Sequence, residues 1–398
     1  MTTVRSLANP TFDPGGRNAF KTVNKAKVIQ TEGMHDTAII TLRGENMDAP
    51  ELQPGTPVIM PYGWFPVNME TFYGYVDHVQ THYERGIPDG STYEDVVCMG
   101  VSYALKDPFV GSWMNVAASS IVQQIANKYM LSLLVDATDY TWPQLSSPGA
   151  SAWAYLKQLA CKIGYTLSCN KSLLRFVSIE TSMRQHWPTM AVFDSRNTQP
   201  GWGRQSIIRF HALQSESLPV QGSTKAVRQI SGINLQSGKV YSVINDGSTI
   251  NSKLGATAVY PFFGQQISDT VTNSQGAAQA AINGITESNR FSYHASATLN
   301  GLVSVVQGMP IVIQGIDSNN DGIWWVQEVC HKIESQAYTM DVVLGRDSIG
   351  DNGVRPIAAT AVAYMANNPF VYSSTNAPAT ILVKKRWRAA TNFAVSVS

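Results

Sequence analysis

A mainly β chain with an α/β insert is the fold class this sequence predicts, and three observations predict it. Residues 309–344 read as a β-hairpin followed by a final strand. Met309–Ile316 and Ile323–Ile333 are apolar, β-branched and aromatic runs around the polar turn Asp317–Gly322. Within the pattern Gly322-x-Trp324-x-Val326-x-x-Val329-x-His331-x-Ile333 the period of two slips by one residue between Val326 and Val329, which is what a β-bulge does. Bulged, curved strands suit a small closed barrel better than a flat sheet. Residues 113–178 instead place apolar residues at helical spacing, and residues 26–108 break into short strand-like runs between turn residues.

Taken in order, residues 1–30 are polar with Pro and Gly and predict an arm or a first edge strand. Ala38–Arg43, Thr56–Met60 (ended by the turn Pro61–Gly63), Phe72–Tyr83 and Tyr93–Val101 predict strands. Ala118, Ile121, Val122, Ile125 and Tyr129 predict one helix; Trp153, Leu156, Leu159, Ala160 and Ile163 predict a second. Ser151 is placed to cap the second helix and Gly164 to terminate it. Tyr165–Cys169 and Leu174–Val177 then predict a hairpin about Asn170-Lys171. Ile207–Phe210 and Ile230–Val243 read as strands, and the Ala-rich residues 274–288 as a helix. Tyr338–Leu344 alternates as the last strand. The domain boundaries are 1–112, 113–179, 180–346 with an inserted 215–290 region, and an extension over 347–398.

Two stretches carry a resemblance to a known family. The closing pattern around Gly322, Trp324, Val326, Val329 and His331 is one. The other is Trp153-x-x-Leu156-x-x-Leu159-Ala160-x-x-x-Gly164-Tyr165, ending in Leu174-x-Phe176. With Gly55-x-Pro-Val58, Phe72-x-Gly74-x-Val76 and Val96-x-Cys98-x-Gly100-x-x-x-x-Leu105 at the front, the chain resembles the baseplate hub proteins of phage tails over roughly residues 35–346. That group includes late control protein D and the related spike of type VI secretion systems. The resemblance implies two small β-barrels of the tail-hub type joined by the α/β insert, and a homotrimer forming a ring of pseudo-sixfold symmetry. Its implied partners are a hexameric tail tube or distal tail protein, a trimeric central spike and baseplate wedge proteins, around a channel through which DNA passes. The implied location is the virion tail, after synthesis in the host cytoplasm. The closest rival implied is a type VI-like spike hub, which usually continues into a β-helical needle; no such repeat is visible here. A rival from another class is a cell-wall hydrolase or carbohydrate-binding tail protein.

Composition fits an assembly component. Charged residues are 14% of the 398-residue chain, against about 25% in a typical globular protein. The net charge of +1 argues against a general nucleic-acid binder. An ordinary weakly charged β-protein is the plainer reading of the same numbers. Cys98, Cys161, Cys169 and Cys330 are scattered without a CxxC pair, which favours synthesis in a reducing compartment. The N-terminal residues lack an apolar signal core, and no run is long enough to span a bilayer. Stable membrane or nucleic-acid binding is not expected.

Candidate chemistry is sparse. Asp317-x-Asn319-x-Asp321-Gly322 with Glu328 spells a calcium-loop pattern, whose alternate oxygens can converge on a hard cation. The flanks are strands where an EF-hand needs helices, so a polar hairpin turn is the preferred reading. His331 adjoins Cys330, but neighbours on a strand face opposite ways; a wall position is preferred to general base chemistry. His78 and His82 stand about 13 Å apart along a strand, too far for one metal. Lys384, Lys385, Arg386 and Arg388 around Trp387 form a basic patch suited to a protein contact or a solvated terminal segment. There is no phosphate-binding glycine loop, no G-x-S-x-G and no HExxH. A chain without enzymatic activity, cofactor or resident metal is expected, with Gly74, Gly100, Trp153, Leu156, Gly164, Tyr165 and Gly322 serving structure.

Overall fold

The computed structural model describes residues 22–43, 53–64, 68–83, 92–138, 141–186, 190–196, 206–213, 228–233, 237–245, 254–255, 257–258, 265–268, 275–288, 290–291, 293–334 and 337–351. The basic patch at 384–388 and most of the 347–398 extension lie outside them.

The chain begins with β1 (Thr22–Thr31), β2 (Thr37–Arg43), β3 (Pro57–Trp64), β4 (Asn68–Tyr83) and β5 (Thr92–Gly100). A 3-10 turn, Val101–Lys106, leads to β6 (Pro108–Ala117), α1 (Ala118–Lys128), β7 (Ser132–Val135) and β8 (Thr141–Ser151). There follow α2 (Ala152–Ile163), β9 (Tyr165–Asn170), β10 (Leu173–Ser178) and α3 (Ile179–His186). Next come β11 (Val192–Asp194), β12 (Ile207–Leu213), β13 (Arg228–Ile233), β14 (Val240–Asn245), β15 (Thr257–Ala258), β16 (Gln265–Ser268) and α4 (Gln275–Ser288). The chain closes with β17 (Tyr293–Asn300), β18 (Pro310–Gln314), β19 (Gly322–Glu334), β20 (Tyr338–Arg346) and β21 (Ser348–Ile349).

One sheet runs through both β regions in the order β12-β17-β20-β19-β1-β2-β5-β4-β3, with β18 and β11 branching from β19. The first strand is therefore central. β1 pairs with β19 on one side and β2 on the other, which corrects the expectation of an edge strand over residues 22–30; the arm expected before them lies outside the described residues. Ala26 and Val28 explain the central position, because their alternate positions are buried against the core. The bulge read between Val326 and Val329 is present as a register shift between Val326 and Glu328 against β20. Among the described residues the strand pairing does not close two barrels. The group β1-β2-β5-β4-β3 is open, and in the other group an isolated bridge between Asp194 and Ser206 brings β11 back towards β12. Each group still has its own core. Ile40, Val58, Met60, Val76 and Val96 fill the first; Leu299, Ile311, Trp324, Val326 and Leu344 fill the second.

The α/β unit has a third core, built by Ile121, Ile125, Trp153, Leu156 and Leu174. Ser151 caps α2, its hydroxyl accepting from the Ala154 N–H at 3.1 Å, and Gly164 ends the helix at φ 75°. β13, β14 and α4 join this unit. Ile230, Tyr241, Val243, Ala278 and Ile282 extend its core, and α4 lies on α2. The contact is close because of Gly284: a Cβ there would lie 2.6 Å from the Ile163 Cα and still nearer the Lys162 carbonyl oxygen. Gly284→Ala must push two backbones apart, so a loss of about 1–3 kcal/mol is expected, read by denaturant unfolding.

Candidate functional site

The turn at 317–322 spends its side chains on its own backbone. Asp317 Oδ1 accepts the N–H groups of Asn319 (2.8 Å) and Asn320 (2.9 Å). The Asp321 carboxylate accepts those of Gly315 (3.0 Å) and Ile316 (2.9 Å). Glu328, on β19, accepts from the Thr31 hydroxyl at 2.9 Å. The candidate ligands Asp317, Asn319, Asp321 and Glu328 thus have separate tasks. Among the described residues no group of three or more His, Cys, Asp or Glu is placed to hold a metal. The loop's carbonyl oxygens do face a cation, supplied by Arg346. Its guanidinium donates to Asn319 O (3.1 Å), Asp321 O (3.1 Å) and Gly350 O, and lies 5.2 Å from the Trp324 ring centroid. Burial pulls the Arg346 pKa down to about 10, so it remains charged at neutral pH. Gly322, at φ 122°, lets the chain pass beside that guanidinium.

His331 sits in the wall between the two sheet cores, as its place in the strand pattern suggests. The Tyr338 hydroxyl lies 2.8 Å from its Nδ1, and the Tyr62 ring packs at 5.4 Å. Burial pushes the imidazole pKa down to about 4, so it is neutral. The other histidines are also held apart. His78 Nδ1 meets Asp77 at 3.0 Å, and Asp77 also pairs with Lys106 at 2.9 Å. These bonds, that from Lys106 foremost, hold the Asp77 carboxyl below its usual range. His82 stacks on Tyr93 and lies 3.4 Å from Asp95.

One pair has no counterpart in the sequence reading. His35 Nδ1 lies 2.8 Å from Ser102 Oγ, the spacing of a nucleophile and its base. Ser102 is fully buried, however, and His35 stacks on Trp153 at 4.5 Å. Burial drives the His35 pKa down to about 4, with Lys106 adding to the effect. The arrangement is a packing joint closed to substrate. A satellite of aromatics, Phe109, Trp113 and Tyr155, is likewise stacked on itself.

No family model matches the chain, and no curated protein matches its sequence. Solved structures do match. A 43 kDa tail protein of prophage MuSo2 from Shewanella oneidensis superposes with a TM-score of 0.59 at 14% identity, over 86% of this chain and 99% of that one. A tail protein from Neisseria meningitidis gives 0.58 at 10% identity, over 85% and 96%. The fold is a phage tail-protein fold. An Escherichia coli component of the type VI secretion system, described as similar to T4 bacteriophage tail proteins gp27 and gp5, follows at 0.53 and 9% identity, over 85% and 77%.

Within this tail-protein fold the motif residues occupy close-packed positions. The Trp153 indole N–H donates to Gly33 O at 3.2 Å, and Leu156 is fully buried. Gly100 N–H donates to Asp36 O at 2.7 Å. Gly74 lies so close to the Met99 carbonyl oxygen that a Cβ would overlap it. The Tyr165 hydroxyl donates to Ala137 O at 3.1 Å. Trp324, Val326 and Val329 are inward residues of the second core.

Proposed function

We propose that this chain is the structural hub of a phage tail baseplate. In this reading three copies form a ring of pseudo-sixfold symmetry that joins a hexameric tail tube or distal tail protein to a trimeric central spike. Baseplate wedge proteins surround the ring in the virion tail, and DNA passes through its centre. The observation that carries it is the tail-protein fold itself, matched over nearly the whole length of a prophage tail protein and of a second tail protein. The internal division supports it: two strand groups, β1–β5 and the group about β19, each have their own core, so three chains would offer six such groups.

The surface supports an assembly role. Among the described residues β3 pairs only with β4, leaving an open edge at that end of the sheet, while at the other end β12 pairs with β17 and meets β11 only through the Asp194–Ser206 bridge. Val110, Met114 and Val240 are 82%, 75% and 75% exposed, and such apolar side chains suit burial between protein chains. The sheet face opposite the cores mixes its charges. Lys25, Lys27, Lys332 and Arg209 alternate with Asp95, Glu328 and Asp341, and Lys332 is paired with Asp341. Facing a channel, this balance would let a polyanion pass without gripping it.

Function on this account resides in interface shape and involves no catalysis. A type VI-like spike hub is the second reading, supported by the fold shared with the secretion component. Native mass spectrometry tests the trimer: the expected particle has about three times the 43.4 kDa chain mass. A monomer at every concentration tried, alone and with the tube, would refute it.

A further inference from the structure

The turn Thr31–Thr37, between β1 and β2, touches three bodies at once. Gly33 N–H donates to Leu167 O in β9 at 3.0 Å, and Gly33 O accepts the Trp153 indole N–H at 3.2 Å. These two bonds pin the turn to the α/β unit. Glu32 N–H donates to Gln327 O at 2.9 Å, and the Trp325 indole N–H donates to the Glu32 carboxyl at 3.1 Å, pinning it to β19. Asp36 O accepts Gly100 N–H, which ties the turn to the end of β5.

Beneath this joint the Asp36 carboxyl is buried at 4% exposure between two buried amides. It accepts from Gln30 Nε2 at 3.1 Å and from Gln307 Nε2 at 3.2 Å. Both amide oxygens, Gln30 Oε1 and Gln307 Oε1, are buried without a hydrogen-bond donor. Among the described residues no Lys, Arg or His forms an ion pair with Asp36. Two amide oxygens there therefore lack a donor, and a carboxylate beside them is a buried charge with no counter-ion. One proton removes the charge and supplies one of the two missing donors. A neutral acid donates its O–H to an amide oxygen while its other oxygen still accepts an amide N–H.

We propose that Asp36, with Gln30 and Gln307, is a buried proton-binding site that latches the α/β unit to the sheet when occupied and loosens it when the proton leaves. The titratable groups around it do not supply a charge. Burial keeps Tyr62 of β3 and Cys169 of β9 protonated, and His35 neutral. Asp77 and Lys106 stand beyond His35 and are paired with each other, and Lys157 of α2 reaches Met34. Burial pushes the Asp36 carboxyl up to about 7 against its two amide bonds, and Glu32 up to about 7 against the Trp325 bond.

The sign follows from the unfolded value of about 3.9 for Asp. The folded joint holds its proton where the opened joint has lost it, so the latch is tightest at low pH. It weakens from about pH 4 to about pH 7 and is then level.

The test removes Glu32 from the titration and compares Glu32→Gln with Glu32→Gln/Asp36→Asn, each as the full chain. Hydrogen exchange at the Gly33 amide, corrected for the intrinsic rate, reports opening. In Glu32→Gln, opening should grow by up to about tenfold per pH unit below 7; adding Asp36→Asn should flatten it. Equal slopes in the two variants would overturn the proposal. Infrared difference spectra of Glu32→Gln, in which Glu32 cannot contribute, provide a second check. A buried carboxylic-acid carbonyl band at pH 6, lost above pH 8, is expected, and its absence at pH 6 would also overturn it.

Discussion

Arg346→Met should be among the most damaging single changes in this chain. Arg346 is fully buried, and its guanidinium serves the carbonyl oxygens of Asn319, Asp321 and Gly350. Methionine fills much of the volume but donates nothing, which strands part-buried acceptors at the lower end of about 1–3 kcal/mol each. A loss of about 3–5 kcal/mol is expected by denaturant unfolding, since the contacts are coupled and do not add in full. The wild type should show no change in melting temperature with calcium or a chelator, because a guanidinium already occupies the cation's role. A calcium-dependent melting shift abolished by Asp317→Ala would show instead that the loop binds the metal.

Asp347→Ala should cost a similar amount for a different reason. Arg290 and Asp347 form an ion pair with side chains only 1% and 5% exposed, the Arg290 Nε–H donating to Asp347 at 3.1 Å. The same carboxylate accepts Leu254 N–H at 2.9 Å and so anchors the 254–258 segment, whose β15 pairs with β21. Removing it takes a carboxylate partner from a buried guanidinium, a change worth about 3–5 kcal/mol. The double change Arg290→Met/Asp347→Leu removes both charges and should recover most of the loss. A double variant as unstable as Asp347→Ala would mean that the anchoring bonds, and not the charge balance, carry the effect.

How much of this was legible in the sequence depended on distance along the chain. Local patterns read well: the bulge after Val326, the Ser151 cap, Gly164 and both helices of the insert follow from neighbours within a few residues. Strand ends read less well. Pro61 signals a turn, yet β3 runs on to Trp64, since an edge strand tolerates a residue without an N–H. β8 carries Pro143, Pro148 and several serines, so its pairing with β6 was hidden in what reads as loop. Ile230–Val243 reads as one strand and is two, β13 and β14, turning near Gly238. The joint at Thr31–Thr37 was illegible, because Trp153, Gln307 and Trp325 come to it from far along the chain. The partner of the calcium-loop pattern was illegible for the same reason. The pattern's spacing encodes turn chemistry equally well, and the cation that fills it comes from Arg346, a residue outside the motif.

The most direct test of the hub reading is electron microscopy of the purified chain, alone and mixed with tail tube. Class averages should show a ring of three chains with a central hole and six lobes, capping the tube end when tube is present. Compact single-chain particles that neither close into a ring nor engage the tube would contradict the account.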